Sequence, residues 1–168
     1  MTTSERVLTG ERADLTQTLG RHRGFLRQTV HGLTDEQAAA RTTVSELCLG
    51  GLIKHVAVTE DRWMRFAVGG AEAMQSEPLD WANGFRMVEG ETLAGLLDHY
   101  AQVAARTDEL IATLDLDAAQ ALPVAPWFEP GASWSVRRVL LHLIAETSQH
   151  AGHADILREA IDGAKTMG

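Results

Sequence analysis

Residues 92–114 read TLAGLLDHYAQVAARTDELIATL. Leu93, Leu96, Leu97, Tyr100, Val103, Ala104, Leu110, Ile111 and Leu114 recur at three- and four-residue steps. That spacing follows the 3.6-residue turn of a helix and not the two-residue alternation of a strand. The stretch therefore predicts an amphipathic helix following Thr92, with an apolar face that other helices must cover.

Working outward, three further segments show the same period. Leu15, Leu19, His22, Leu26 and Val30 form a stripe that stops at His31-Gly32, where glycine suits a left-handed cap. Leu52, Val56, Thr59, Trp63 and Phe66 form another, from Cys48 or Leu49 to the pair Gly69-Gly70. Gly50 and Gly51 weaken its first turn, and two adjacent glycines there predict the close approach of another backbone. The last long helix begins at the N-cap Ser135 and ends at Asp162-Gly163, leaving AKTMG as a frayed tail. TDEQ at 34–37 matches a capping box and predicts a short helix over 35–40.

Between these lie residues 71–90, where Trp81 and Phe85 predict an ordered loop that tucks aromatics onto the body, and residues 115–133. The latter hold Pro123, Pro126 and Pro130, too many prolines for a helix or a central strand. No internal repeat, strand alternation or heptad run is present. Four helices of about twenty residues, each about 30 Å long, make an all-α four-helix bundle whose long connections permit crossovers.

The composition narrows the function classes. The 168 residues suit one domain spanning 1–168, and 45% apolar with 23% charged residues is ordinary for a globular chain. A formal net charge of −8 repels nucleic acid and anionic lipid alike. No apolar run approaches the roughly 20 residues of a membrane span. One cysteine, Cys48, and an N-terminus without a basic and then apolar leader point to the cytoplasm.

Chemistry concentrates in AETSQHAGHADILRE, residues 145–159. The steps Val139, Leu143, Glu146, His150, His153 and Leu157 put Glu146 and His150 one turn apart on an apolar row, where a carboxylate oxygen and an imidazole nitrogen can converge on one ion. The same spacing also serves a helix-supporting pair. His55, on the facing stripe, is either a core-rim histidine or the third ligand of a site that leaves positions open for substrate. His153 and His142 are auxiliary candidates, His153 as second-sphere partner or proton shuttle and His142 as a hydrogen-bond partner of Glu146. His22, His31 and His99 read as surface or boundary histidines. Cys48 reads as a small core or capping residue, and Trp127, Phe128 and Trp134 as core anchors.

The runs LCLGGLIKHVAVTEDRW and ASWSVRRVLLHLIAETSQHAGHADILREAIDG, with GLTDEQA before them, resemble the DinB-like superfamily over nearly the whole chain. The resemblance is to its actinobacterial mini-circle-type proteins, related to mycothiol-dependent maleylpyruvate isomerase and bacterial thiol S-transferases. It implies a DinB-like four-helix bundle with a long crossover, a homodimer, and a divalent metal held by His55, Glu146 and His150. Many relatives have histidine at the place of Glu146, whereas the isomerase branch has glutamate. Zn²⁺ is the expected ion, while two histidines and a carboxylate also suit Ni, Fe or Mn.

The expected function is a metal-dependent S-transferase. A small-molecule thiol of the mycothiol type would attack an electrophilic substrate in a pocket roofed by Trp127 and Phe128, with His153 as the catalytic proton relay. The alternatives are a hydrolase using metal-bound water and a non-enzymatic metal-binding scaffold.

Overall fold

The computed structural model describes residues 8–166. Its helices are α1 (Gly10–Gln28), α2 (Asp35–Ala39), α3 (Leu49–Met74), α4 (Leu93–Thr113) and α5 (Val136–Asp162), with two short strands, β1 (Ala119–Ala121) and β2 (Ser133–Ser135). The all-α, DinB-like reading holds. Local chemistry sets the ends. Thr34 and Gln37 close both arms of the capping box at 3.2 and 3.0 Å. Thr92 accepts from Gly95 N, Ser135 accepts from Arg138 N, and Gly163 ends α5 at φ 77°.

The four long helices pack as α1 on α5 and α4, and α3 on α4 and α5. Going round the bundle the order is α1, α5, α3, α4, so α1 and α3 are diagonal, as are α4 and α5. Both diagonal links are long, one carrying α2 and the other the strands. Residues 75–92, though equally irregular, join neighbours and make no crossover. This order sets α3 directly beside α5.

Residues 115–133 are not wholly irregular. Ala119 pairs with Ser135, Gln120 with Trp134 and Ala121 with Ser133 in an antiparallel ladder. Strands of three residues are too short to show alternation, which hid them in the sequence. The hairpin rests on α3 where Gly70 takes φ 72°, and a Cβ there would stand 3.1 Å from the Gln120 side-chain oxygen. The expected stop at Gly69-Gly70 is thus a kink, after which α3 resumes for one turn to Met74.

On α1 and α3 the stripes are correct except where charge is buried. On α1 the buried member is Arg23, at 5% exposure, while His22 is half-buried. On α3 it is Glu60, at 1%, with Thr59 half-buried. Arg23 reaches across the diagonal to Glu60 through two bonds of 2.5 and 3.1 Å, and to Asp108 of α4 at 2.9 Å. Burial disfavours the guanidinium charge, but the Glu60 and Asp108 carboxylates outweigh it and raise the Arg23 pKa. Tyr100, Thr107 and Thr147 are buried too. The core accordingly forms two apolar clusters, one around Leu26, Leu52 and Leu157 and the other around Leu19, Phe66 and Leu143.

The tail expected to fray is tied where it is described: Ala164 N donates to Asp162 and Thr166 N to Asp155 at 2.7 Å. Residues 167–168 of that tail, and residues 1–7 of the N-terminus, lie outside the described residues. No helix among the described residues is long and apolar enough to cross a membrane.

Candidate metal centre

Because α3 and α5 are neighbours, His55 of the first meets Glu146 and His150 of the second. His55 Nε2 is 3.9 Å and His150 Nε2 is 3.6 Å from the same oxygen, Glu146 Oε2. One ligand atom from each residue lies within 4.8 Å of the others. Donors bonded at about 2.1 Å around a tetrahedral ion stand about 3.4 Å apart, so small rotations of these side chains would close the set on one ion.

Glu146 and His150 do not lie within the buried row of α5, as the spacing suggested, but on its flank. The inward positions are Val139, Leu143, Thr147, Ala151, Ala154 and Leu157, and the ligand-type side chains beside them are half-buried. The offset follows from the 100° step per residue: Thr147, one position on, takes the axis and turns Glu146 toward the groove between α5 and α3. A flank position keeps one side of the cluster open.

The electrostatics suit a cation. Among the described residues no lysine or arginine is paired with Glu146; its close partners are His150, His55 and His142, the last at 4.0 Å. Hydrogen bonding from the His150 and then the His55 imidazole holds the Glu146 carboxyl well below the usual carboxylate range, against partial burial, which works the other way. Burial, the larger influence on His142, lowers its pKa against the attraction of Glu146 and favours the neutral ring. An ionised carboxylate beside imidazoles is a donor set of the kind that divalent ions take.

The surroundings orient these donors. His150 Nδ1 lies 3.2 Å from His153 Nδ1, which leaves its Nε2 to face Glu146. His55 is stacked on Phe85 with ring centroids 3.9 Å apart, and Thr59 Oγ1 is 3.5 Å from its Nε2. The expected close approach at the glycine pair is here: a Cβ on Gly51 would overlap the Phe85 carbonyl, and one on Gly50 the Met87 side chain. The 75–92 loop is therefore seated on the first turn of α3, and its Phe85 ring covers His55. Sequence reading missed Phe85 as a neighbour of the site, although the two glycines pointed to the contact.

The other candidates sort clearly. His31 and His99 are exposed, and Cys48 is the buried N-cap residue of α3. Phe128 and Trp134 do pack on Trp63, Trp134 in a stack at 4.7 Å. Trp127, expected as a core anchor, is 70% exposed, and Trp81, expected to tuck in, is 77% exposed. Their prolines and short turns hold the two indoles on loop crests instead of against the helices.

Beside His55 opens a cleft of about 930 Å³, walled by α3 and α4 and by the loops that carry Trp81 and Trp127. His55 belongs to its lining, whereas Glu146 and His150 do not. The candidate centre thus adjoins one end of a space large enough for small molecules.

The family described as Mycothiol-S-transferase matches residues 14–163. No curated protein matches the chain. The crystal structure of a conserved protein from Enterococcus faecalis superposes with a TM-score of 0.72 at 16% identity, covering 94% of this chain and 100% of that one. At that identity the likeness is one of fold.

Proposed function

The chain belongs to the mycothiol-S-transferase family, and on that premise we propose that it joins a small thiol of the mycothiol type to an electrophilic carbon at a divalent metal held by His55, Glu146 and His150. The observation that carries the reading is the convergence of these three side chains from two neighbouring helices, with no lysine or arginine among the described residues to satisfy Glu146.

Zn²⁺, or an ion of similar preference, would lower the pKa of a thiol and so supply thiolate near neutral pH. The protein's own residues do the rest. His55 and His150 present Nε2, and Glu146 presents a carboxylate whose charge is kept at all physiological pH. Phe85, stacked on the His55 ring, fixes its plane. His153 holds the rear nitrogen of His150 and so fixes the orientation of that ring, while the released thiol proton leaves to solvent on the open side of the centre. In the transfer itself the sulfur forms a bond to carbon, and the leaving group departs with the electron pair of the bond it breaks. The family match favours thiol over water as nucleophile, and a reducing cytoplasm would keep that thiol available.

Elemental analysis after purification without chelators tests the reading. The expected result is about one divalent ion per chain in the wild type and loss of it in His150→Ala, together with transfer of mycothiol to an alkyl halide by the wild type alone. Wild-type protein free of stoichiometric metal would overturn the proposal.

A further inference from the structure

The outward face of α5 breaks the pattern expected of a helix surface in water, which is a mixture of charges. The charged residues of this helix gather at its two ends, apart from Glu146, which is turned to the groove beside α3. Between Arg138 and Glu159 the outer row reads Leu141, Ala145, Ser148, Gln149, Gly152 and Ile156. Leu141 is 48% and Ile156 65% exposed. The Ser148 hydroxyl is already satisfied, donating to Ala145 O of its own helix, and a Cβ on Gly152 would meet nothing within 4 Å. A neutral strip with large apolar residues toward both ends and small ones between them is thus left in water.

The strip is also symmetric about its own middle. Counted from a point between Ser148 and Gln149, Leu141 lies as far before it as Ile156 lies after it. Ala145 and Gly152 are matched in the same way, and so are Arg138 and Glu159. A helix with this pattern complements itself when reversed. Laid antiparallel on a second copy, it sets Leu141 beside the other Ile156, Ala145 against the other Gly152, and Arg138 beside the other Glu159. The small pair lets the two axes come within the 8–10 Å of packed helices, and the apolar pairs close off water on both sides of it.

The charges choose the occupant. A net charge of −8 opposes self-association, so two copies meet best where the strip carries no charge and its ends carry opposite ones. Both end residues remain in reach of solvent in the single chain: Arg138 lies over the Trp134 ring at 4.9 Å, and Glu159 pairs with the exposed Lys165 at 3.2 Å. An unrelated partner would not require the row to match its own reverse, whereas a two-fold contact does, because residue i meets j and j meets i.

We infer that α5 is an interface between two copies of this chain, packed antiparallel about a two-fold axis that passes between Ser148 and Gln149. At 100° per residue the strip lies roughly 130° around the helix from Glu146 and His150, so the pairing leaves the groove of the metal centre uncovered. The contact is about 32 Å long and one helix wide, less than the roughly 800 Å² per partner of a tight complex, which makes a reversible dimer. The inference rests on this face alone and not on the transferase reading.

Sedimentation equilibrium of the full chain across the micromolar range tests it. The mass is expected to rise from one chain to two and no further, since a two-fold contact closes. Gly152→Arg should weaken the dimer at least tenfold while Tm does not fall and metal content stays the same, because the new side chain points into open solvent. Arg138→Glu and Glu159→Arg should each weaken it several-fold by setting like charges together, and the double variant should recover the wild-type affinity. A chain that stays single at every concentration, or a dimer indifferent to Gly152→Arg, would overturn the interface. A double charge variant as weak as either single one would overturn the antiparallel register.

Discussion

Two clusters of charge interrupt this bundle, and they are built to opposite ends. Arg23, Glu60 and Asp108 meet near the axis, and the protein supplies both signs of charge there. His55, Glu146 and His150 meet on a flank, half-exposed, with one carboxylate and, among the described residues, no lysine or arginine. A buried charge without its counter-charge is costly, so the axial cluster must be complete as the chain folds. The flank cluster needs no such completion, because half-exposed groups stay in contact with solvent, and as the proposed metal centre it would take its cation from there. A binding site in a bundle is thus distinguished from a structural ion pair by what it lacks.

The difference can be broken by experiment. The largest expected effect is on metal affinity: His55→Ala should lower it by more than the roughly 10–100-fold typical of losing an outer-sphere partner, measured by chelator competition. The stability of the metal-free protein should barely change. Next, Glu60→Ala strands Arg23 at the axis and should cost about 3–5 kcal/mol in urea unfolding. Glu146→Ala in the metal-free protein should cost far less, and equal costs would erase the distinction between the clusters. Gly51→Ala pushes a methyl group into the Phe85 carbonyl; a loss of about 1–3 kcal/mol is expected. Weaker metal binding should accompany it as Phe85 shifts off His55, and unaltered metal affinity would show that the stack does not position the ligand. The smallest effect is expected of Thr34→Ala, about 1 kcal/mol from the lost cap, with metal affinity unchanged.

Much of the site is legible in the sequence. Glu146 and His150 announce themselves by their one-turn spacing, and Gly50 and Gly51 by an expense of helix propensity that only a close contact explains. His55 is legible as a partner only if its helix faces the one that carries Glu146. Arg23 and Glu60 are hidden because a charged residue on a helix reads as solvated, and the two lie 37 positions apart in the chain. The exposed indoles are hidden for the converse reason: tryptophan reads as core, and nothing local tells a loop crest from a loop folded inward. The hairpin of β1 and β2 is too short for its period to show.

What the sequence by itself determined is each helix, its caps and the residues on its faces. Those depend on hydrogen bonds and side-chain spacing within a few residues. What only the tertiary structure decided is which helices are neighbours. Short loops would have forced sequential helices together, but these connections are long enough to reach any corner of the bundle. The choice of α3 beside α5 falls to the summed packing of faces far apart in the chain, and it is that choice which brings His55 to Glu146 and His150.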